Sequence, residues 1–334
     1  MSLRCMSVTF LVALQLCTSI AFAQQRPQWV PGQMGLNSGI LPSPGFTYVN
    51  LTINYNAGTF NNRNGTAVPV TGTYDIWAVE NVYYFVSDTK FLGGHLGFMV
   101  MFPTPATGSL VADLNPLLPG APNLGATGGG SGLADLWAQP FTVGWHFKRA
   151  DLWVGDAFMI PTGRYAPGAS DNVGTGYFGN HLQTATTFYI TKDKGTSANL
   201  YTNWEVHGQR QGTNNTYKTP GQAFTTEWGV GQILPLKKDF SQLLQLGAVG
   251  YDQWQVTDNG GSVPVGPILV PAKLLPRYSV HAVGGQLNYI LPARNFSLFF
   301  KYYHEYKSYS APLGTTIVFG GTWTLLIPKP PPAK

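Results

Sequence analysis

The chain has 334 residues, of which 44% are hydrophobic, 13% aromatic and only 10% charged, with 40 Gly, 25 Pro and a formal net charge of +5. An average soluble domain carries about 25% charged residues, so an ordinary cytosolic enzyme is a poor fit. The nine Trp, seventeen Tyr and nineteen Phe exclude a disordered chain. The basic residues are scattered in ones and twos rather than gathered on a stripe, which argues against nucleic acid as a partner.

At the amino terminus Arg4 precedes a largely apolar run, Val8 to Ala23, that closes on Ala21-Phe22-Ala23. A small-x-small ending of this kind predicts a signal peptide over 1–23, removed near Ala23. Gln15, Cys17, Thr18 and Ser19 interrupt the run, which disfavours a retained helix, and Leu16 before Cys17 is a poor lipoprotein site. Both cysteines, Cys5 and Cys17, leave with the segment. The exported chain then has no disulfide, thiolate metal site or Cys nucleophile. No later stretch approaches the roughly 18 consecutive apolar residues of a membrane helix. A Pro/Gly-rich leader over 24–45 follows, and it is a candidate lumen plug because it directly precedes the first strand.

Twelve strand-like blocks come next, near 46–57, 73–87, 92–103, 133–148, 152–160, 181–191, 197–208, 223–235, 241–254, 278–291, 295–307 and 314–326. Many have about the 9–11 residues that a tilted strand needs to cross a bilayer. Their connections alternate: 58–72, 104–132, 161–180, 209–222 and 255–277 are long, whereas 88–91, 149–151, 192–196, 236–240 and 292–294 are short. Short periplasmic turns, long external loops and an even strand count are the marks of an outer-membrane barrel. Each short connection also has a base in or beside it, from Lys90 to Arg294. The expected fold is all-β: a closed antiparallel transmembrane β-barrel of about twelve strands over 46–326, with a Pro-rich tail at 327–334.

Within the blocks the side chains alternate with a period of two. Phe296, Leu298, Phe300 and Tyr302 oppose Ser297, Phe299, Lys301, Tyr303 and Glu305, and Leu200 and Trp204 oppose Tyr201, Asn203, Glu205 and His207. In the first block Val49, Leu51 and Ile53 oppose Tyr48, Asn50, Thr52 and Asn54. With apolar faces toward lipid, the candidate lumen-lining residues are Tyr48, Asn50, Asn54, His95, Tyr201, Asn203, Glu205, His207, Glu227, Gln286, Asn288, Lys301, Tyr303 and Glu305. A half-buried soluble sheet alternates in the same way, so it is the loop parity that favours a barrel.

Several short motifs carry a resemblance. Gly35-Leu36-Asn37-Ser38-Gly39-Ile40-Leu41-Pro42 leads into the first strand, followed by Gly132-Leu133-Ala134-Asp135-Leu136, Pro161-Thr162-Gly163-Arg164-Tyr165, Gly250-Tyr251 and Gly284-Gly285-Gln286-Leu287-Asn288-Tyr289. In this order they resemble the outer-membrane proteins of the phenol-degradation MetA-pathway family. The resemblance implies a β-barrel passing small, largely hydrophobic or aromatic molecules across the outer membrane. Outer-membrane proteins commonly end on an aromatic residue that assists the barrel assembly machinery, whereas this chain runs past Trp323 into Pro328-Lys329-Pro330-Pro331-Pro332-Ala333-Lys334. The tail is then a periplasmic extension, or the assembly signal is internal.

Catalytic patterns are weak. Gly174-Thr175-Gly176-Tyr177-Phe178-Gly179 spells G-x-G-x-x-G but sits in a long loop, without the strand before and helix after that a dinucleotide site requires. Ser131 lacks the setting of a nucleophile elbow. The six His show no metal-ligand spacing. No enzyme activity, cofactor or metal is expected. The expected function is passive passage of small hydrophobic or aromatic solutes through a narrow lumen, since about twelve strands lie between the filled eight-stranded and the wide sixteen-stranded barrels. The expected partners are outer-membrane lipid, the solutes and the assembly machinery, with monomer and homo-oligomer both open. A structural or adhesive surface barrel, and a secreted soluble β protein, are the alternatives.

Overall fold

The computed structural model describes residues 27–113, 125–167, 169–212, 218–265 and 268–326. The expected signal peptide at 1–23 and the tail at 327–334 lie outside these residues. The strands are β1 Gly45–Phe60, β2 Thr71–Phe91, β3 Gly94–Asp113, β4 Gly125–Gly132, β5 Leu136–His146, β6 Ala150–Ile160, β7 Gly179–Tyr189, β8 Thr196–His207, β9 Ala223–Pro235, β10 Leu243–Gln255, β11 Ser262–Val265, β12 Ile268–Pro271, β13 Ser279–Leu291, β14 Phe296–Tyr309 and β15 Pro312–Leu326. Two three-residue 3-10 turns, Ala272–Leu274 and Pro292–Arg294, are the only helical pieces among the described residues.

Twelve of the strands form one ring. β1 pairs with β2, β2 with β3, β3 with β5, and the antiparallel pairing continues through β10, β13 and β14 to β15, which returns to β1. Closure removes the edge strands, whose unpaired amides lipid cannot satisfy. The twelve blocks read from the sequence are these twelve staves. β4 lies outside the ring, paired to the upper part of β3 from Ala106 to Asp113, and β11–β12 is a hairpin inside the 255–277 connection.

Two boundaries differ from the sequence reading. The connection expected at 104–132 is partly ladder, because β3 runs on to Asp113 and Gly125–Gly132 pairs back on it. A Gly-rich stretch with little alternation gives no strand signal, yet its backbone pairs readily. The turn expected at 88–91 lies instead at Leu92-Gly93, so Lys90 sits in the end of β2. Both turn residues have positive φ, 50° and 80°, the primed geometry whose twist matches the flanking strands. At the same end of the barrel, the hydroxyl of Thr191 and the amide of Gly195 hold the Asp193 carboxyl below the ordinary carboxylate range.

Register fixes the faces. In β7–β8 the pairs His181↔Glu205, Gln183↔Asn203 and Ala185↔Tyr201 alternate with Leu182↔Trp204 and Thr184↔Thr202. The first set is buried, while Leu182 and Trp204 are 54% and 42% exposed. Exposed Phe188, Leu200, Val230, Leu246, Leu287, Phe300 and Phe319 continue the apolar outer belt around the ring.

Candidate functional site

Residues 27–44 run inside the ring. Their upper end lies toward the long loops, where the Gln28 amide N–H donates to Glu205 Oε2 at 2.9 Å and its side chain donates to the Tyr177 carbonyl at 2.9 Å. Lower down, Glu227 accepts from Trp29 Nε1 at 2.8 Å and from the Met34 N–H at 2.9 Å. Lys301 Nζ donates to the carbonyls of Gly32, Gln33 and Met34, so the Met34 residue is gripped at both its N–H and its C=O. The motif Gly35-Leu36-Asn37-Ser38-Gly39 follows. Its Leu36 N–H donates to Gln286 Oε1 at 2.9 Å, and Asn37 exchanges amide hydrogen bonds with Gln245 at 2.7 and 3.0 Å. The Ser38 carbonyl accepts from Trp153 Nε1 at 2.7 Å, and the Gly39 N–H donates to Thr187 Oγ1 at 3.0 Å.

Glycine makes this approach sterically feasible. A Cβ on Gly231 or Gly247 would stand 2.8 or 2.9 Å from the Leu36 methyl groups, so bare backbone on β9 and β10 forms the Leu36 seat. Near the short-turn end Leu41 packs over Gly144 of β5 in the same way, and the segment then enters β1 at Gly45.

The inner wall has two sectors. From β7 through β14 polar groups bond the leader, beside a second apolar cluster in which Val249, Tyr251, Val280 and Tyr303 surround Leu36. Around β1, β2, β3, β5 and β6 the wall is apolar, with Leu51, Ile53, Val82, Met101, Trp137 and Met159 in one cluster with Trp29. That difference corrects three of the sequence-derived positions: Tyr48, Asn50 and Asn54 are on the outer face. Alternation holds in β1, but polar was equated with inward, and in this sector the apolar residues turn inward against Trp29 and its neighbours. The outward amides are satisfied by one another: Tyr48 Oη donates to Asn81 Oδ1 at 2.7 Å, Asn50 Nδ2 to the same oxygen at 3.1 Å, and Asn54 Nδ2 to Asp75 Oδ1 at 3.1 Å.

The other eleven positions face inward, and most are a bed for the leader rather than an open lining. Tyr201, Asn203, Glu205, Glu227 and Tyr303 are each 0% exposed. Glu205, Glu227, Gln286 and Lys301 bond the leader directly. Asn203 and His207 bond Glu205 at 3.4 and 3.1 Å, while Asn288 bonds Gln245 and Gln286 at 2.8 Å each. Tyr201 packs its ring 5.2 Å from that of Trp29, and a Cβ on Gly32 would lie 3.0 Å from Tyr303. Glu305 accepts from Tyr55 Oη at 2.9 Å and Tyr251 Oη at 3.0 Å, tying β14 across to β1 and β10. His95 stands apart near the short-turn end, its ring 6.3 Å from that of His146.

Above the leader is a cavity of about 320 Å3. Trp29, Ile76, Met101, Trp137, Met159 and Tyr177 give it an apolar lining, with Glu80, Asp135 and Arg210 as ionisable groups. Asp135 is committed to the loop above: its Oδ1 accepts from the Gly163 N–H at 2.9 Å, and its Oδ2 from both the N–H and hydroxyl of Thr175 at 2.7 Å. The G-x-G-x-x-G spelling is therefore a loop brace that seats Tyr177, and no helix follows it. Among the described residues no group of three or more His, Cys, Asp or Glu is arranged to hold a metal ion. Sequence reasoning missed Trp29, Gln245 and Glu80, and it left Asn199, which stands on the polar row of β8, out of the candidate set. For Glu80 the signal was present, a lone acid in the alternating row Ile76, Ala78, Val82.

The sequence matches the family described as "Putative MetA-pathway of phenol degradation" over residues 57–319, well over half of the chain. The protein belongs to this family. Its fold is that of an outer-membrane β-barrel. An outer membrane channel from Pseudomonas putida F1 is similar with a TM-score of 0.64 and 12% identity, covering 89% of this chain and 100% of that one. A FadL homologue from Pseudomonas aeruginosa also matches, at a TM-score of 0.35 and 10% identity, over 84% of this chain and 89% of that one. No curated protein matches the sequence. The phenol-degradation family match begins inside β1, after the leader, so the motif at 35–39 that docks in the lumen lies ahead of it.

Proposed function

We propose that the protein is a channel of the outer membrane that passes small hydrophobic or aromatic molecules down their gradient, with residues 27–44 acting as a plug. The observation that carries this reading is the cavity at the long-loop end, apolar on its barrel side and floored by the leader. Its volume of about 320 Å3 is at the lower end of the roughly 300–1,000 Å3 usual for small-molecule sites. Solute enters from the loop side, rests against Trp29, Met101 and Trp137, and moves on when the leader shifts on its polar bed. The processed chain starts at Gln24, and the assembly machinery inserts it.

Liposome swelling and uptake with a panel of alkanes, aromatic acids and sugars test the proposal. Entry of the apolar and aromatic members without the sugars is expected. Equal entry of sugars of the same size would refute a solute path set by apolar contact. Esterase and phospholipase turnover by the purified barrel is the matching test for an embedded enzyme.

A further inference from the structure

The short connections β2–β3, β5–β6, β7–β8, β9–β10 and β13–β14 fall at every second junction of the ring, at the end that an outer-membrane barrel turns toward the periplasm. Two of their bases serve the wall. Arg149 donates to the carbonyls of Tyr189 and Ile190 at 3.0 and 2.7 Å, and the Lys194 ammonium stands 4.3 Å from the centre of the Tyr189 ring. The side chains of Lys90, Lys148, Lys192, Lys237, Lys238 and Arg294 are exposed and make no hydrogen bond or ion pair among the described residues. Acids are fewer in these connections. Asp193 accepts from the Gly195 N–H at 3.0 Å and Asp239 from the Ser241 hydroxyl at 2.8 Å, so both carboxylates are turned in on their own turns. With Asp88 as the other exposed acid, the rim is net positive.

Large apolar side chains accompany the bases. Leu92 is 78% exposed near Lys90, Phe147 53% beside Lys148, and Phe240 62% in the turn of Lys237 and Lys238. Leu92 and Phe240 have positive φ, 50° and 56°, a conformation in which bulky residues are rare. Backbone geometry thus gives no reason for these side chains at the turn tips, whereas surrounding hydrocarbon does. The exposed row of β7 runs from Leu182 through Phe188 to Ile190, and Lys192 follows two residues on. That step is at most roughly 7 Å, and the headgroup layer on each side of a bilayer core is about 5–7 Å thick. The ammonium therefore stands at the depth of the lipid phosphates. We propose that this rim binds the phosphate groups of acidic phospholipids in the periplasmic leaflet, each apolar side chain lying among acyl chains and each base on a headgroup. Phosphatidylethanolamine brings its own ammonium beside the phosphate, whereas phosphatidylglycerol carries an uncompensated negative charge. A protein partner would meet one arc of the rim, but the bases lie all round it, as a lipid shell does. The inference rests on the membrane-spanning fold and is independent of what crosses the lumen.

The test uses the full barrel in phosphatidylcholine bilayers, with spin-labelled phosphatidylglycerol and spin-labelled phosphatidylcholine as probes of the lipid that touches the protein. A preference of about fivefold for phosphatidylglycerol is expected at 0.1 M salt, the ratio that one base near an anionic headgroup gives. It should fall toward equality at 1 M salt, where the Debye length drops from about 10 Å to about 3 Å, a comparison that needs no variant. Lys148→Gln, Lys192→Gln, Lys237→Gln and Lys238→Gln combined, with folding checked by heat-modifiable migration, should bring the ratio below about twofold. Lys218→Gln with Lys273→Gln, at exposed positions in the long loops, should leave it unchanged. Equal association of the two lipids with the native barrel overturns the proposal, as does a preference that survives the combined variant or falls equally in the long-loop one. Inorganic phosphate at constant ionic strength should not lower the preference; displacement by it would mark sites for free phosphate and overturn the assignment to lipid.

Discussion

The grip on Met34 is where the plug is most open to a designed perturbation. Glu227 accepts two leader N–H groups at 2.8 and 2.9 Å, and hydrogen bonds to a charged group are worth about 1.5–3 kcal/mol each. Replacing Glu227 by Leu therefore withdraws about 3–6 kcal/mol of leader docking. Alone, that change would strand the buried ammonium of Lys301, and losing one partner of a buried pair typically costs about 3–5 kcal/mol in the barrel wall itself. The informative variant is thus Glu227→Leu together with Lys301→Met, which removes both charges and also the three donations to Gly32, Gln33 and Met34. At 1.4 kcal/mol per factor of ten, loss of the two Glu227 bonds alone raises the undocked fraction roughly a hundred- to ten-thousand-fold, and the lost Lys301 donations raise it further. In planar bilayers the native protein is expected to show a small conductance, and the double variant frequent large openings. If the double variant runs as a folded barrel on gels yet keeps the native conductance, residues 27–44 do not control the lumen.

Three further perturbations probe other parts of the structure. Gly231→Ala places a methyl 2.8 Å from Leu36, and overpacking of about 1–3 kcal/mol should speed hydrogen exchange at residues 35–39 while leaving the strands protected. Leu200→Arg puts a cation midway along β8 on the outer belt, where Leu200 is 49% exposed; a loss of about 2–4 kcal/mol is expected in guanidinium unfolding from phospholipid bilayers, and a loss below about 0.5 kcal/mol would place that face outside the membrane. Asp135→Ala removes the acceptor for Gly163 and Thr175. Limited proteolysis should then cut within 161–178 at least tenfold faster, with conductance unchanged if that loop serves only as a brace.

The fold was legible because barrel strands announce themselves twice, by alternation within each strand and by the long and short connections between them. All twelve staves follow from those two signals, including β8 and β14, whose apolar and polar rows are cleanly separated. The reading failed where polarity and direction come apart. Tyr48, Asn50 and Asn54 look like lumen residues because β1 alternates so regularly, yet which row turns inward depends on what fills the bore at that height, here Trp29 and the cluster around Met101 and Trp137. Nothing local to β1 records that neighbour. The leader was legible as Pro/Gly-rich and as a candidate plug, but not its partners, because Asn199, Gln245 and Gln286 meet it only after the ring has brought β8, β10 and β13 around it. β4 was invisible for a different reason: a Gly-rich strand packs almost no side chains, so only its backbone ladder defines it.

The strap that occupies the bore is continuous with β1, and β1 is one lip of the final seam, zipped against β15. Synthesis delivers that lip first and its mate last. While the wall is still an open curl, the strap has a polar trough to settle into, and the seam then shuts over it. Wrapping spares the chain the alternative of drawing residues 27–44 upward into a finished cylinder. A bulky reporter fused ahead of Pro27 would accordingly have to be swallowed during biogenesis, and should hinder maturation far more than the same reporter set in an outer loop.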